Sequence, residues 1–182
     1  MRLLERPPLA DPLARAARGG DTARAMTEKS SSAPLPSRTP APPALKLAAV
    51  EVERLIRAGL PLAERADFAV ERLEPDCAVV RLAYQPWMLR PGGTLAGPVL
   101  MMAADAAMYA LVLGRLGPEL LAVTSDMSLH FLRKPPPADL LAQAQLLKLG
   151  RKLAVMRVEL RSVGDDALVA HVTGSYALPG AR

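Results

Sequence analysis

Gly97-Pro98-Val99-Leu100-Met101-Met102-Ala103-Ala104-Asp105-Ala106-Ala107-Met108-Tyr109-Ala110-Leu111-Val112-Leu113-Gly114 is a run of 18 residues with one charge, Asp105. A membrane span is the first reading to test. A carboxylate near the centre, glycines at both ends with Pro98 beside the first, and a length at the lower limit for crossing a bilayer argue against it. A helix apolar on nearly all sides in a globular protein must be buried on nearly all sides. Pro98 suits the first helical turn, where its missing N–H would have found no acceptor. An unpartnered carboxylate in such a helix is costly, so Asp105 is the first candidate for chemistry.

Downstream the period falls to two. Val123, Ser125, Met127, Leu129 and Phe131 alternate with Thr124, Asp126, Ser128, His130 and Leu132, and Pro135-Pro136-Pro137 ends that strand. Leu140 to Leu149 follows, then a tight turn at Gly150-Arg151-Lys152, then a strand with Ala154, Met156, Val158 and Leu160 on one face. Gly164-Asp165-Asp166 turns the chain into Leu168 to Leu178. These read as hairpin-linked antiparallel strands with one apolar face.

Upstream, Leu45 to Ile56 repeats apolar residues at helical spacing until Gly59 and Pro61, predicting an amphipathic helix of about four turns. Two short strand-like runs, Asp67 to Arg72 and Cys77 to Tyr84, flank a turn at Glu74-Pro75-Asp76. Residues 1–43 contain no Val, Ile, Phe, Tyr or Trp and eight of the 18 prolines. Such a segment cannot bury enough apolar surface to offset its ordering entropy, so it reads as a disordered Pro/Ala/Arg-rich extension. It has no apolar run suited to a secretory signal, and a cytoplasmic location is expected. Translation from Met26 is an open alternative.

The charge is mildly basic at +5, and residues 1–43 hold seven basic against four acidic side chains. The remainder is nearly balanced and carries few aromatics, which argues against a nucleic-acid surface. One cysteine, Cys77, excludes an internal disulfide and a cysteine-based zinc site, and two histidines make a multi-histidine centre unexpected. No metal and no separate cofactor are expected. Nothing near Cys77 marks an activated thiol. His130 and His171 fall on polar strand faces and read as solvated.

One long apolar helix and about six antiparallel strands bury that helix economically if the sheet curls around it. Strands over 123–178 are expected to form a meander, completed by the earlier pair. One sheet covers only part of an all-round apolar helix, so a symmetric homodimer or dimer of dimers is expected.

A central helix wrapped by a curled antiparallel sheet, an α+β architecture, is the hot-dog fold. The run Gly93-Thr94-Leu95-Ala96-Gly97-Pro98-Val99-Leu100 followed by Asp105 resembles the signature of the PaaI-type acyl-CoA thioesterases, a His-Gly-Gly with an acidic residue nine positions after its His. Val123 to Met127, Phe131 to Pro135 and Leu149 to Ala154 resemble that family's following strand and Gly-centred hairpin. The resemblance spans roughly residues 65–178. The family His is Ala96 here, its second Gly is Pro98, and a common Asn is Arg90.

The resemblance implies a thioester hydrolase domain over 44–182. Asp105 would be general base, or nucleophile through a transient anhydride. The Gly97 N–H, at a helix start, would polarise the thioester carbonyl. Thr124 would contact the reacting centre from the facing strand. Tyr109, one turn after Asp105, and Met101 and Met108 would line the acyl site. Arg90, Arg133, Lys134, Arg151 and Lys152 would meet the substrate, the last four through the CoA phosphates. No membrane or nucleic-acid partner is implied. The departures at Ala96 and Arg90 keep a catalytically silent acyl-CoA-binding protein as the alternative. A ligand-sensing regulator would need a helix-turn-helix that residues 1–60 do not offer. A hot-dog dehydratase would need a His near the acid, and neither histidine precedes a helix.

Overall fold

The computed structural model describes residues 44–179, and the expected disorder of 1–43 lies outside that range. The chain forms helices α1 (Ala49–Gly59) and α2 (Pro61–Arg65), strands β1 (Phe68–Glu74) and β2 (Cys77–Leu82), and a 3-10 turn at Pro86–Met88. A short hairpin β3 (Leu89–Arg90) and β4 (Thr94–Leu95) leads into α3 (Gly97–Leu116). Strands β5 (Val123–Phe131), β6 (Leu140–Leu149), β7 (Leu153–Ser162) and β8 (Leu168–Ala177) complete the fold. It is α+β: one long apolar helix packed on a six-stranded antiparallel sheet of order β1-β2-β6-β7-β8-β5.

Alanine decides how close helix and sheet can come. Ala103, Ala104, Ala107 and Ala110 of α3 are fully buried, as are Ala142 and Ala144 on the inner face of β6. Leu100, Leu111 and Leu113, with Met156, Val158 and Leu160 from β7, fill the space between these small contacts. This is how a chain with six aromatics builds a continuous core. The helix is long and apolar enough to cross a membrane, yet 67% of its apolar window is buried against the protein's own elements. Its far end closes at Gly117, whose φ of 90° suits glycine, and the N–H groups of Lys46 and Leu47 donate to Gly114 O.

Three expectations change. The strands over 123–178 do not form one meander: β6, β7 and β8 do, while β5 crosses to the outer edge and pairs with β8. Three consecutive prolines supply no N–H and cannot make a tight hairpin, so they carry the chain across to the sheet centre instead. The first helix is shorter than predicted, beginning at Ala49, because residues 44–48 are spent reaching the end of α3. Pro61, a stop signal for α1, also starts α2, where its fixed φ suits the first position.

A bulge in β5 corrects a face assignment. The β5–β8 register shifts between Thr124 and Asp126, leaving Ser125 as the extra residue. Strict alternation separates Thr124 from Met127, Leu129 and Phe131. The bulge reverses parity at that point, so Thr124 joins them on the helix side. Ser125 turns away, its hydroxyl 2.8 Å from the Ser175 hydroxyl.

Candidate active site

Sheet and α1 bury α3 on most sides but leave one stripe partly open: Met101, Met102, Asp105, Ala106 and Tyr109. These positions recur at helical spacing, so they share a face, and Asp105 lies at its middle. Two hydroxyls hold the Asp105 carboxylate from the sheet. Thr124 Oγ1 donates to Oδ1 at 2.5 Å from edge strand β5. Tyr176 OH donates to the same oxygen at 2.7 Å from β8. Both donors take Oδ1, leaving Oδ2 for a further partner.

Tyr176 is a site residue that the sequence reading misses. A signal for it exists: parity places Tyr176 with Ala170, Val172 and Gly174 on the inner face, where a phenol needs an acceptor. Tyr176 is 3% exposed, and its ring stacks on Tyr109 at a centroid separation of 5.9 Å. Burial, reinforced by the Asp105 charge, drives its pKa far above the usual phenol range. The hydroxyl therefore keeps its proton and remains a donor throughout the working pH range. Burial also raises the Tyr109 phenol.

Asp105 and Met102 sit where two spaces meet. One is an open cleft of about 330 Å³ bounded by Met101, Met102, Asp105, Thr124 and Met127. The other is an apolar cavity of about 180 Å³ running beneath α2, with Asp105 and Tyr109 at its edge. Met108, expected as a wall, does not reach either space. It is fully buried, and its sulfur would lie 2.9 Å from a Cβ added at Gly174. Gly174 thus allows β8 to approach α3 closely enough for Tyr176, two residues on, to reach Asp105.

Gly97 and Asp105 do not meet within one chain. Eight helical steps separate them, about 12 Å along the axis. Gly97 opens instead on a second pocket of about 250 Å³, lined also by Arg90, Thr94, Phe131, Arg133 and Lys134. Helix geometry leaves the Gly97 N–H without an intrahelical acceptor, and Pro98 has none to offer. Arg90 is partly engaged, its Nε donating to Thr94 Oγ1 at 3.0 Å. Arg151 and Lys152 line a different pocket with Lys46, Leu116 and Glu119, at the opposite end of α3. The two basic pairs therefore cannot clasp one phosphate group within a single chain.

The remaining candidates separate from the site. His130 and His171 face each other across β5 and β8, and both are at least partly exposed. Cys77 is buried, which raises its thiol pKa. Among the described residues no group of three or more His, Cys, Asp or Glu is placed to hold a metal.

Residues 92–169 match the family model of the thioesterase superfamily. A candidate thioesterase from Silicibacter sp. TM1040 is 42% identical, with 74% of this chain and 94% of that one aligned at a TM-score of 0.68. A mutant of the phenylacetic acid degradation protein PaaI from Thermus thermophilus is 30% identical over 65% of this chain and 99% of that one, with a TM-score of 0.58. The E. coli PaaI protein shares the fold at 22% identity, covering 72% of this chain and 94% of its own, with a TM-score of 0.64. No curated protein sequence matches. On the Silicibacter and Thermus likenesses, the chain belongs to the PaaI-type thioesterases of the hot-dog fold.

Proposed function

We propose that this protein hydrolyses acyl-CoA thioesters to the free acid and CoA, working as a homodimer or dimer of dimers, with Asp105 supplying the catalytic carboxylate. The observation that carries this reading is the anchoring of Asp105: two hydroxyls fix one carboxylate oxygen while the residue borders both an apolar cavity and an open cleft. A thioester needs that arrangement, an apolar acyl part on one side and a polar CoA part on the other.

As general base, Oδ2 takes a proton from water, the water oxygen attacks the thioester carbonyl, and the C–S bond breaks to release CoA thiolate. As nucleophile, Oδ2 attacks the carbonyl carbon and the C–S bond breaks to expel CoA thiolate; water then cleaves the resulting anhydride to the free acid and the Asp105 carboxylate. Either route builds negative charge on the carbonyl oxygen. The Gly97 N–H is suited to receive it, but about 12 Å of helix keeps it from its own chain's Asp105. Two copies with their α3 helices antiparallel remove the conflict, because each Gly97 then approaches the other's Asp105. Three features support such pairing: the open stripe on α3, edge strand β5, whose outer ladder pairs with no strand among the described residues, and the exposed Met101, Val123, Phe131 and Leu132. Arg133 and Lys134, beside Gly97, would then receive the CoA phosphates.

Steady-state release of free thiol from a panel of acyl-CoAs tests the proposal. Turnover yielding acid and CoA supports it. Saturable acyl-CoA binding with no thiol release favours the silent binder, and water addition to an enoyl-CoA without thiol release favours a hydratase. Within the same panel, Tyr176→Phe is expected to lower kcat about tenfold and leave KM within a factor of two. It removes one charge-assisted hydrogen bond that holds the carboxylate without touching the substrate. An unchanged kcat would remove Tyr176 from the positioning role.

A further inference from the structure

His130 and His171 stand directly opposite each other in the antiparallel pairing of β5 with β8. The sequence puts each on a polar strand face as a solvated ring; only the register brings the two together. That face of the sheet points away from α3. His130 is exposed and His171 half-buried, while their chain neighbours Leu129, Ala170 and Val172 pack into the core on the other side. The same row continues across the sheet, with Glu159 of β7 beside His171 and Gln143 of β6 beyond it. Glu159 is already engaged, accepting from Arg161 Nη2 at 2.8 Å. Two positions along β5 and β8, Ser128 faces Thr173, so the nearest row on these two strands carries hydroxyls and no charge. Arg157 lies one strand further on, opposite Thr173.

We propose that His130 and His171 form a two-histidine site for a divalent transition metal of the zinc, copper or nickel kind, which clamps edge strand β5 to β8. Directly opposed residues of an antiparallel pair have Cβ atoms about 5 Å apart. Imidazoles rooted at that spacing can each turn one nitrogen toward a common ion at about 2.0–2.1 Å. Imidazole is the ligand that these metals share. Water completes the coordination, since among the described residues no third His, Cys, Asp or Glu is placed to join. The clamp has a use in this fold. Among the described residues β5 pairs with β8 alone, through a ladder already interrupted by the bulge at Ser125. The same two strands carry the Thr124 and Tyr176 hydroxyls that hold Asp105. An ion bound across positions 130 and 171 ties those strands together on the opposite face, without touching the carboxylate. The site follows from register and does not depend on the hydrolase reading.

The test titrates the full chain, free of any histidine tag, with zinc and with copper. Half the ligands of a structural zinc site imply about half its binding free energy, so one zinc per chain should bind with a Kd of roughly 10 µM. Zinc at about 1 mM should then raise the melting temperature by about 8 °C. His130→Asn and His171→Asn lie on the solvated face, so each should melt, metal-free, within about 2 °C of the native protein. Each should weaken zinc binding at least tenfold and remove most of the thermal shift. The electron paramagnetic resonance spectrum of bound copper should show two imidazole nitrogens in the native protein and fewer in each variant. No saturable zinc or copper binding below about 1 mM overturns the site. So does binding of native strength in either folded variant, which places the ion elsewhere on the chain.

Discussion

Asp105→Asn is expected to lower kcat about 1,000-fold with the fold intact. Asparagine has the same shape. Its carbonyl oxygen can still accept from Thr124 and Tyr176, the two hydroxyls that hold Oδ1 in the native protein. What it loses is the charge on the other oxygen, which must take a proton or attack carbon. Folding and ligand binding should therefore survive while turnover does not. The melting temperature should stay within a few degrees, and acyl-CoAs should still protect against unfolding. Turnover retained at more than a tenth of the native rate would mean that another group does the chemistry.

The second large effect concerns stability. Gly174→Val should destabilise the protein by about 3 kcal/mol, near the upper end for overpacking a core. The first added carbon already meets the Met108 sulfur at 2.9 Å and the Asp126 carbonyl oxygen at 3.0 Å. Met108 can swing aside, but the backbone of β5 cannot without shifting its ladder with β8. A loss of this size should lower the melting temperature by about 10 °C in a domain of this length. The same displacement would move Tyr176, so the surviving folded protein should also turn over more slowly. A melting temperature within about 2 °C of the native value would show that β8 and α3 are not tightly apposed at this point.

Both effects come from α3, the element most legible in the sequence. A run of 18 residues with one charge admits few structures, and the period-two pattern of β6, β7 and β8 supplies the sheet to cover it. Asp105 is legible for the same reason, since a charge in that run has to be explained. Thr124 is legible through the family resemblance but misplaced by alternation, because nothing in Val123-Thr124-Ser125-Asp126 announces a bulge. Tyr176 is visible only as an inward strand residue, since its partner lies 71 positions away. Strand order escapes too: a local pattern identifies β5 as a strand but does not say that it pairs with β8. Residues 60–66 fall in the sequence between the helix that Gly59 and Pro61 stop and the strand run that begins at Asp67. Their place over the cavity depends on Arg57 and Arg65 contacts that no periodicity encodes.

The carboxylate of one copy and the helix start of another act, in this mechanism, on the same thioester. Mixed protomers test that most directly. Asp105→Asn chains carry an intact Gly97 pocket, and a double variant with Arg133→Ala and Lys134→Ala carries an intact carboxylate. Dissociated together and reassociated, half of the dimers should be mixed, and each mixed dimer should contain one fully native site. The value of kcat/KM for the best acyl-CoA of the panel is then expected to rise to about a quarter of the native one, well above the average of the two parents. Activity equal to that average, in samples shown to contain mixed dimers, would contradict a site shared between copies.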